Sequence, residues 1–220
     1  MPCPACPRPD NWGLDRPPKT MDDREKLRQY FLTLPPDQQV DGWNAMWAAK
    51  ITPWDQNCPN PALVEALETR PWIAASPFRR DGEAKTRKKV LVPGCGGGYD
   101  VQLFASYGFD AYGLDASAIA IEKAEQHLRE QGKEQTYRLQ NIQYGRGVVR
   151  FLQADFFKDG FVAETHAEEA GEGTFDVIYD YTFLCVSPFP PCSSWWDALT
   201  LLSSRCRRCH LRCGRSGRAE

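Results

Sequence analysis

Apolar positions along this chain follow two periods. From residue 89 onward, the short apolar runs Lys89–Pro93, Ala111–Leu114, Val148–Gln153 and Phe175–Asp180 have the length and composition of strands. Between them, Asp100–Ser106 and Ser117–Gln131 space their apolar residues as helices do. Strands alternating with helices predict a parallel, doubly wound α/β sheet. The upstream half is helical. Thr20 can cap a helix over Asp22–Leu32, with Asp22 and Asp23 at its positive end. Gly42–Ala49 carries Trp43 and Trp47, which share a helix face because they stand four apart. Ile51–Asp55 reads as an irregular turn. Asn60-Pro61 is a cap and first-turn pair for a helix over Ala62–Thr69. Residues 70–87, basic and proline-containing, read as a linker. Residues 1–19, rich in proline and without periodicity, read as a disordered extension, and the acidic Glu164–Gly173 as a loop.

Composition narrows the setting. A chain of 220 residues can bury one full core, so one domain is expected. A net charge of -2 points to no nucleic-acid partner. The apolar runs fall far short of the roughly 20 residues that span a bilayer, so no membrane partner is expected. The N-terminus lacks an apolar signal core, which points to the cytoplasm. In that reducing setting the nine cysteines read as free thiols.

The chemistry concentrates at Val90-Leu-Val-Pro-Gly-Cys-Gly-Gly-Gly-Tyr-Asp100, an apolar strand that stops at a glycine cluster. Glycines let the backbone approach a nucleotide-type ligand, and Asp115, closing the next strand, can take a ribose hydroxyl pair. Two cofactors compete. A dinucleotide fingerprint, G-x-G-x-x-G/A, wants a small sixth residue, and this chain has Tyr99 there. S-adenosylmethionine has no pyrophosphate. It needs backbone room for its aminoacyl arm, an acidic residue after the second strand and a polar residue after the third. Asp115 and Asp155 supply the last two. A glycine turn that merely joins strand to helix is the third account.

The segment Gly42-Trp-Asn-Ala-Met-Trp47, followed by Thr52-Pro-Trp-Asp-Gln56, resembles the N-terminal signature of the thiopurine S-methyltransferase-like superfamily. Its closest likeness is to the thiol/halide methyltransferase ("harmless to ozone layer") branch of plants and fungi. The later blocks VLVPGCGGGYDV, GLDAS, ADFF and FDVIYDYTFLC stand in that family's order, so the resemblance covers about residues 25–185. It implies a Rossmann-like class I methyltransferase fold and S-adenosyl-L-methionine as cofactor. The implied acceptor is a small thiol, bisulfide or halide. Carried over residue by residue, it also implies cofactor contacts from Trp43, Trp47, Trp54, Gly94, Asp115, Asp155, Phe156 and Tyr181. Indole rings would pack on the cofactor and attract its sulfonium. Asp115 would accept from the ribose hydroxyls, and Asp155 and Phe156 would hold the adenine. Ordinary core packing is the competing account of the tryptophan pair.

Methyl transfer to a soft nucleophile rests largely on proximity and orientation. A thiol is partly ionised at neutral pH and a halide needs no base, so no catalytic base is demanded. Tyr181 is the candidate for orienting the nucleophile. His127, within a helix, and His166, in the acidic loop, are expected to face solvent.

The family pattern ends at Cys185, where three further strands would follow. Val186-Ser187 can be encoded GTG-AGT, which resembles the start of a spliceosomal intron. Residues 186–220 are therefore expected to be an aberrant, disordered tail, a retained intron followed by frameshifted exon. Cys206-Arg-Arg-Cys-His210 matches a haem-attachment string, and the tail's cysteines could bind zinc. Chance in an arginine-rich tail is the better account, and no metal site is expected. A half-sheet with an apolar edge over Val177–Leu184 would be aggregation-prone, with weak or absent catalysis. The competing functional reading is accordingly a non-catalytic fragment. An NAD(P)-linked oxidoreductase is a third reading, opposed by Tyr99 and the tryptophans.

Overall fold

Parallel strands carrying almost unbroken apolar runs must be covered on both faces, and the central strand here obeys that rule. The computed structural model describes residues 21–35, 38–70, 76–81, 84–134, 137–140, 142–157, 161 and 175–183. In chain order these form α1 (Met21–Thr33), α2 (Gln39–Ala48), α3 (Pro61–Thr69), β1 (Phe78–Asp81), β2 (Ala84–Arg87) and β3 (Lys89–Pro93). There follow α4 (Tyr99–Ser106), β4 (Asp110–Asp115), α5 (Ala118–Glu134), β5 (Val149–Gln153) and β6 (Val177–Ile178). The larger sheet is parallel in the order β5-β4-β3-β6.

All five residues of β3 are buried, and their alternation sorts the core into two layers. Val90 and Val92 pack with Val101, Phe104 and Ala105 of α4 and with Leu63 and Leu67 of α3. Leu91 points the other way, into Tyr112, Leu114, Phe156, Phe161 and Phe175. Glycine at 113 lets α4 approach β4, since a Cβ there would meet Cys95 Sγ at 2.8 Å and Val101 Cγ2 at 2.9 Å.

The upstream helices hold an aromatic layer on this frame. Phe31 of α1 packs on Trp43 of α2 at 4.4 Å between centroids, and Trp54 meets the edges or faces of Trp43 and Trp47 at 5.2 and 5.9 Å. Asn44, between the two α2 tryptophans, accepts a 2.8 Å bond from Ser117 Oγ at the start of α5. Asn60 caps α3 as its sequence predicts, its side chain accepting from Ala62 N at 2.9 Å, with Pro61 in the first turn.

Two expectations need correction. The predicted linker over 70–87 contains the antiparallel hairpin β1–β2. Two of its basic residues have specific acceptors: Arg87 donates to the carbonyls of Gly108 and Tyr144, both at 2.6 Å, and Arg79 pairs with Asp176 at 3.2 Å. Charge that reads as linker composition is here tied to backbone oxygens and a carboxylate. The fourth parallel strand is also shorter than the predicted Phe175–Asp180. Only Val177 and Ile178 pair as strand, flanked by bonds from Asp176 N to Lys89 O and Tyr179 N to Leu91 O. The predicted N-terminal extension, the Thr20 cap, the Glu164–Gly173 loop with His166, and the tail lie outside the described residues. Among the described residues no helix is long and apolar enough to cross a membrane, and no cluster suits a metal ion.

Candidate functional site

The site forms at the carboxyl end of β3, where the chain turns through Gly94–Gly98 into α4. Three glycines take left-handed backbone there, Gly94 at φ 61°, Gly96 at φ 51° and Gly98 at φ 75°. Side chains are also excluded by close neighbours. A Cβ at Gly98 would meet Phe151 at 2.6 Å and Ala124 of α5 at 2.9 Å, and one at Gly94 would meet Phe183 at 2.6 Å. At Gly96 the nearest group is the Trp47 ring, 3.5 Å from the corresponding point.

Asp115, at the end of β4, braces this loop. Its Oδ2 accepts from Gly96 N at 3.0 Å and its Oδ1 from Ser117 N at 2.9 Å. Burial pushes its pKa up, against the pull of those backbone N–H groups.

A cavity of about 740 Å³, including its open mouth, lies over the loop. Trp47, Trp54, Gly94, Gly96 and Tyr181 are in its wall, so four of the predicted contact residues (Trp47, Trp54, Gly94 and Tyr181) come together there. Tyr181 is half exposed at 55 %, and the next residue, Thr182, is a β-branched residue held at φ 69°. The other predicted residues sit behind the wall. Trp43 does not line the cavity and supports Trp54 edge-on. Asp155 turns back on its own chain, accepting from Phe157 N at 3.0 Å. Phe156 is buried against Phe157, Phe161 and Phe183, and Phe183 in turn covers Gly94.

The remaining wall includes polar groups that escaped the sequence reading. Asp55 lines the cavity and is ion-paired to Lys123 of α5, whose ammonium also lies 5.2 Å over the Trp47 ring. Asn57 Oδ1 accepts from Lys123 Nζ at 3.3 Å and from Tyr99 OH at 3.1 Å. His127, expected to face solvent, is half-buried instead: its Nδ1 donates to Gly97 O at 3.0 Å and its ring tilts against Tyr99 at 4.8 Å. Tyr99, whose bulk in the fingerprint's sixth place opposes a dinucleotide, thus ties the glycine loop to the tryptophan segment. Asp100, Asn60 and Tyr179 also line the cavity, with Asn60 N donating to Asp100 Oδ1 at 2.7 Å. The i,i+4 spacing of Lys123 and His127 on α5 was the available signal for part of this set.

Titration narrows what the wall can do. Cys95 lines the cavity as a free thiol pushed well above its usual pKa by burial and by Asp115, so it stays protonated. Tyr99 and Tyr179 are also pushed up by burial and remain phenols. What remains is a cavity walled in part by aromatic rings and two carboxylates, a lining that suits a cationic ligand.

Residues 38–209 match the profile of the thiopurine S-methyltransferase family, a match that runs past Cys185. The chain is 32% identical over 161 residues to the probable thiol methyltransferase 2 of Arabidopsis thaliana, covering 73% of this chain and 56% of that protein. It is 33% identical over 144 residues to thiocyanate methyltransferase 1 of the same plant, covering 66% and 48%. The chain therefore spans about half the length of these curated relatives. Among solved structures, that described for conversion of a disulfide bond into a thioacetal group during echinomycin biosynthesis has a TM-score of 0.48 and 22% identity, covering 74% of this chain and 56% of that one. With the glycine loop, the braced Asp115 and the tryptophan wall, the match over 38–209 places this chain in the thiopurine S-methyltransferase family, which uses S-adenosyl-L-methionine.

Proposed function

We propose that this chain binds S-adenosylmethionine at the glycine loop and transfers its methyl group to a small thiol, bisulfide or halide. The observation that carries the proposal is that Trp47 and Gly96 meet in the wall of one cavity, whose loop is braced by Asp115. The relatives named for thiol and thiocyanate methylation support the acceptor class.

When bound, the cofactor supplies a methyl group on a positively charged sulfur, open to a soft nucleophile. The chain's part is to bind, orient and exclude water. Trp47 and Trp54 offer ring faces that attract a cation and keep the wall dry. Asp115 accepts from backbone N–H groups with both oxygens and is proposed to offer its remaining lone pairs to ribose hydroxyls. Gly94 and Gly96, both in the cavity wall, are proposed to present bare backbone to the ligand. Trp43 acts through Trp54. Asp155 and Phe156 are proposed as the far end of the site, near the adenine. Tyr181, at the exposed rim, is proposed to orient the acceptor. A thiol acceptor near pKa 8.5 already holds a thiolate fraction at neutral pH, so no base among the lining residues is required.

Calorimetry with S-adenosylmethionine, S-adenosylhomocysteine and NAD, followed by methyl-transfer assays on bisulfide, iodide and small thiols, tests this reading. Binding of the first two without NAD, with transfer to at least one acceptor, is expected. Binding without transfer would favour a non-catalytic chain, and NAD binding would favour an oxidoreductase.

A further inference from the structure

The charged side chains of the cavity wall are all of one sign. Among the described residues the cavity wall has no lysine, arginine or histidine, but it has two carboxylates, Asp55 and Asp100. Asp55 already has Lys123. No described cation pairs with Asp100, and among the described residues its carboxylate accepts one hydrogen bond, from Asn60 N to Oδ1. An asparagine amide would accept that bond equally well without bringing a charge into the wall. Service to the helix dipole does not explain the carboxylate either. Although Asp100 stands in the first turn of α4, burial raises its pKa to about 6, so its surroundings disfavour the charge on balance.

Topology says which part of a ligand Asp100 meets. β3 lies between β4 and β6. Asp115 closes β4 on one side of the glycine loop. Tyr179, whose phenol senses the Asp100 charge, directly follows β6 on the other side. A ligand lying across the end of β3 with its ribose at Asp115 directs its opposite end toward Asp100, Asn60 and Tyr179. In S-adenosylmethionine that opposite end is the aminoacyl arm.

We infer that Asp100 is the anchor of the cofactor's aminoacyl ammonium group, the fixed point that orients the methyl donor along the cavity. This rests on the S-adenosylmethionine reading given above. The contact is a charge-assisted hydrogen bond in a partly desolvated wall, where such bonds are strongest. It supplies the cation that the site's own residues do not provide. Asp100 is thereby a binding residue remote from the transferred methyl.

The test compares two ligands on two proteins by calorimetry at pH 7.5. S-adenosylhomocysteine carries the ammonium, and its des-amino analogue lacks only that group. The parent should prefer S-adenosylhomocysteine at least tenfold. In Asp100→Asn the preference should fall to within about twofold, through weaker binding of S-adenosylhomocysteine alone. The ligand-free variant should unfold at a higher temperature than the parent, because a disfavoured charge has been removed. A parent indifferent to the amino group, or a variant that keeps the preference, overturns the assignment. So does a variant that unfolds earlier and loses both ligands alike, since that is the behaviour of a purely structural aspartate. A parent that binds neither ligand overturns the cofactor reading itself, and the Asp100 assignment with it.

Discussion

At Asp100 and Gly94 single atoms decide the outcome. A carboxyl whose folded pKa is about 6 against an ordinary 3.8 binds its proton more tightly in the native state. Its contribution to stability is therefore fully present below about pH 4 and is lost as pH rises through 6. The shift corresponds to roughly 3 kcal/mol. Urea unfolding of the ligand-free parent and of Asp100→Asn should give similar stabilities near pH 4, with the variant pulling ahead by up to about that amount at pH 7. A gap that does not widen with pH would remove the buried charge from the account. At Gly94 the left-handed backbone and the Phe183 ring at 2.6 Å act together. Gly94→Ala should lose about 1–3 kcal/mol of stability from backbone strain, more if Phe183 cannot shift, and S-adenosylhomocysteine binding with it. Unchanged binding in that variant would place the ligand elsewhere. The glycine cluster was legible because glycines after an apolar strand carry a backbone requirement, and the family resemblance singled out Gly94 within it. Asp100 was not legible, because an aspartate in a helix's first turn has a sufficient local explanation.

Elements were legible where a period was unmistakable. β3 over Lys89–Pro93 is found as predicted, and α3, α4, β4, α5 and β5 shift by a few residues at their ends. The hairpin β1–β2 was not legible, since Phe-Arg-Arg-Asp and Ala-Lys-Thr-Arg show no apolar alternation. Its residues are positioned by side-chain bonds to Gly108, Tyr144 and Asp176, which local sequence does not encode. α4 contains an opposite lesson. Gln102 has no exposed surface, and among the described residues neither its Oε1 nor its Nε2 has a hydrogen-bond partner. An unsatisfied buried amide costs about 1–3 kcal/mol. Gln102→Met, nearly isosteric and apolar, should therefore raise the unfolding midpoint by an amount in that range. A lowered midpoint would mean that the amide is engaged by a group beyond the described residues. Neither result should alter ligand binding, because Gln102 does not line the cavity.

Across the whole molecule, the site depends on joining an aromatic N-terminal layer to an α/β sheet. The tryptophans were legible as a set, but the means of holding them over the glycine loop was not, because it pairs residues 68 positions apart. Asp55 is nearly sealed, with 5% of its side chain exposed, while Lys123 keeps 30%. The Lys123 ammonium is shared among Asp55, Asn57 Oδ1 and the Trp47 ring. Lys123→Met would leave the Asp55 charge with its cation gone, and breaking a buried pair on one side costs about 3–5 kcal/mol. Partial exposure of Lys123 brings the expected loss down to about 2–3 kcal/mol. Because the same cation sits over Trp47, the loss should reach the cavity, with weaker S-adenosylhomocysteine binding as well as a lower unfolding midpoint. The double variant Asp55→Asn with Lys123→Met removes the stranded charge and should recover part of the stability. It should recover less of the affinity, since the tie between α5 and the tryptophan segment stays broken. A double-mutant cycle on both quantities separates these effects. Coupling in stability without coupling in affinity would mean that the aromatic layer holds its place over the loop by packing alone.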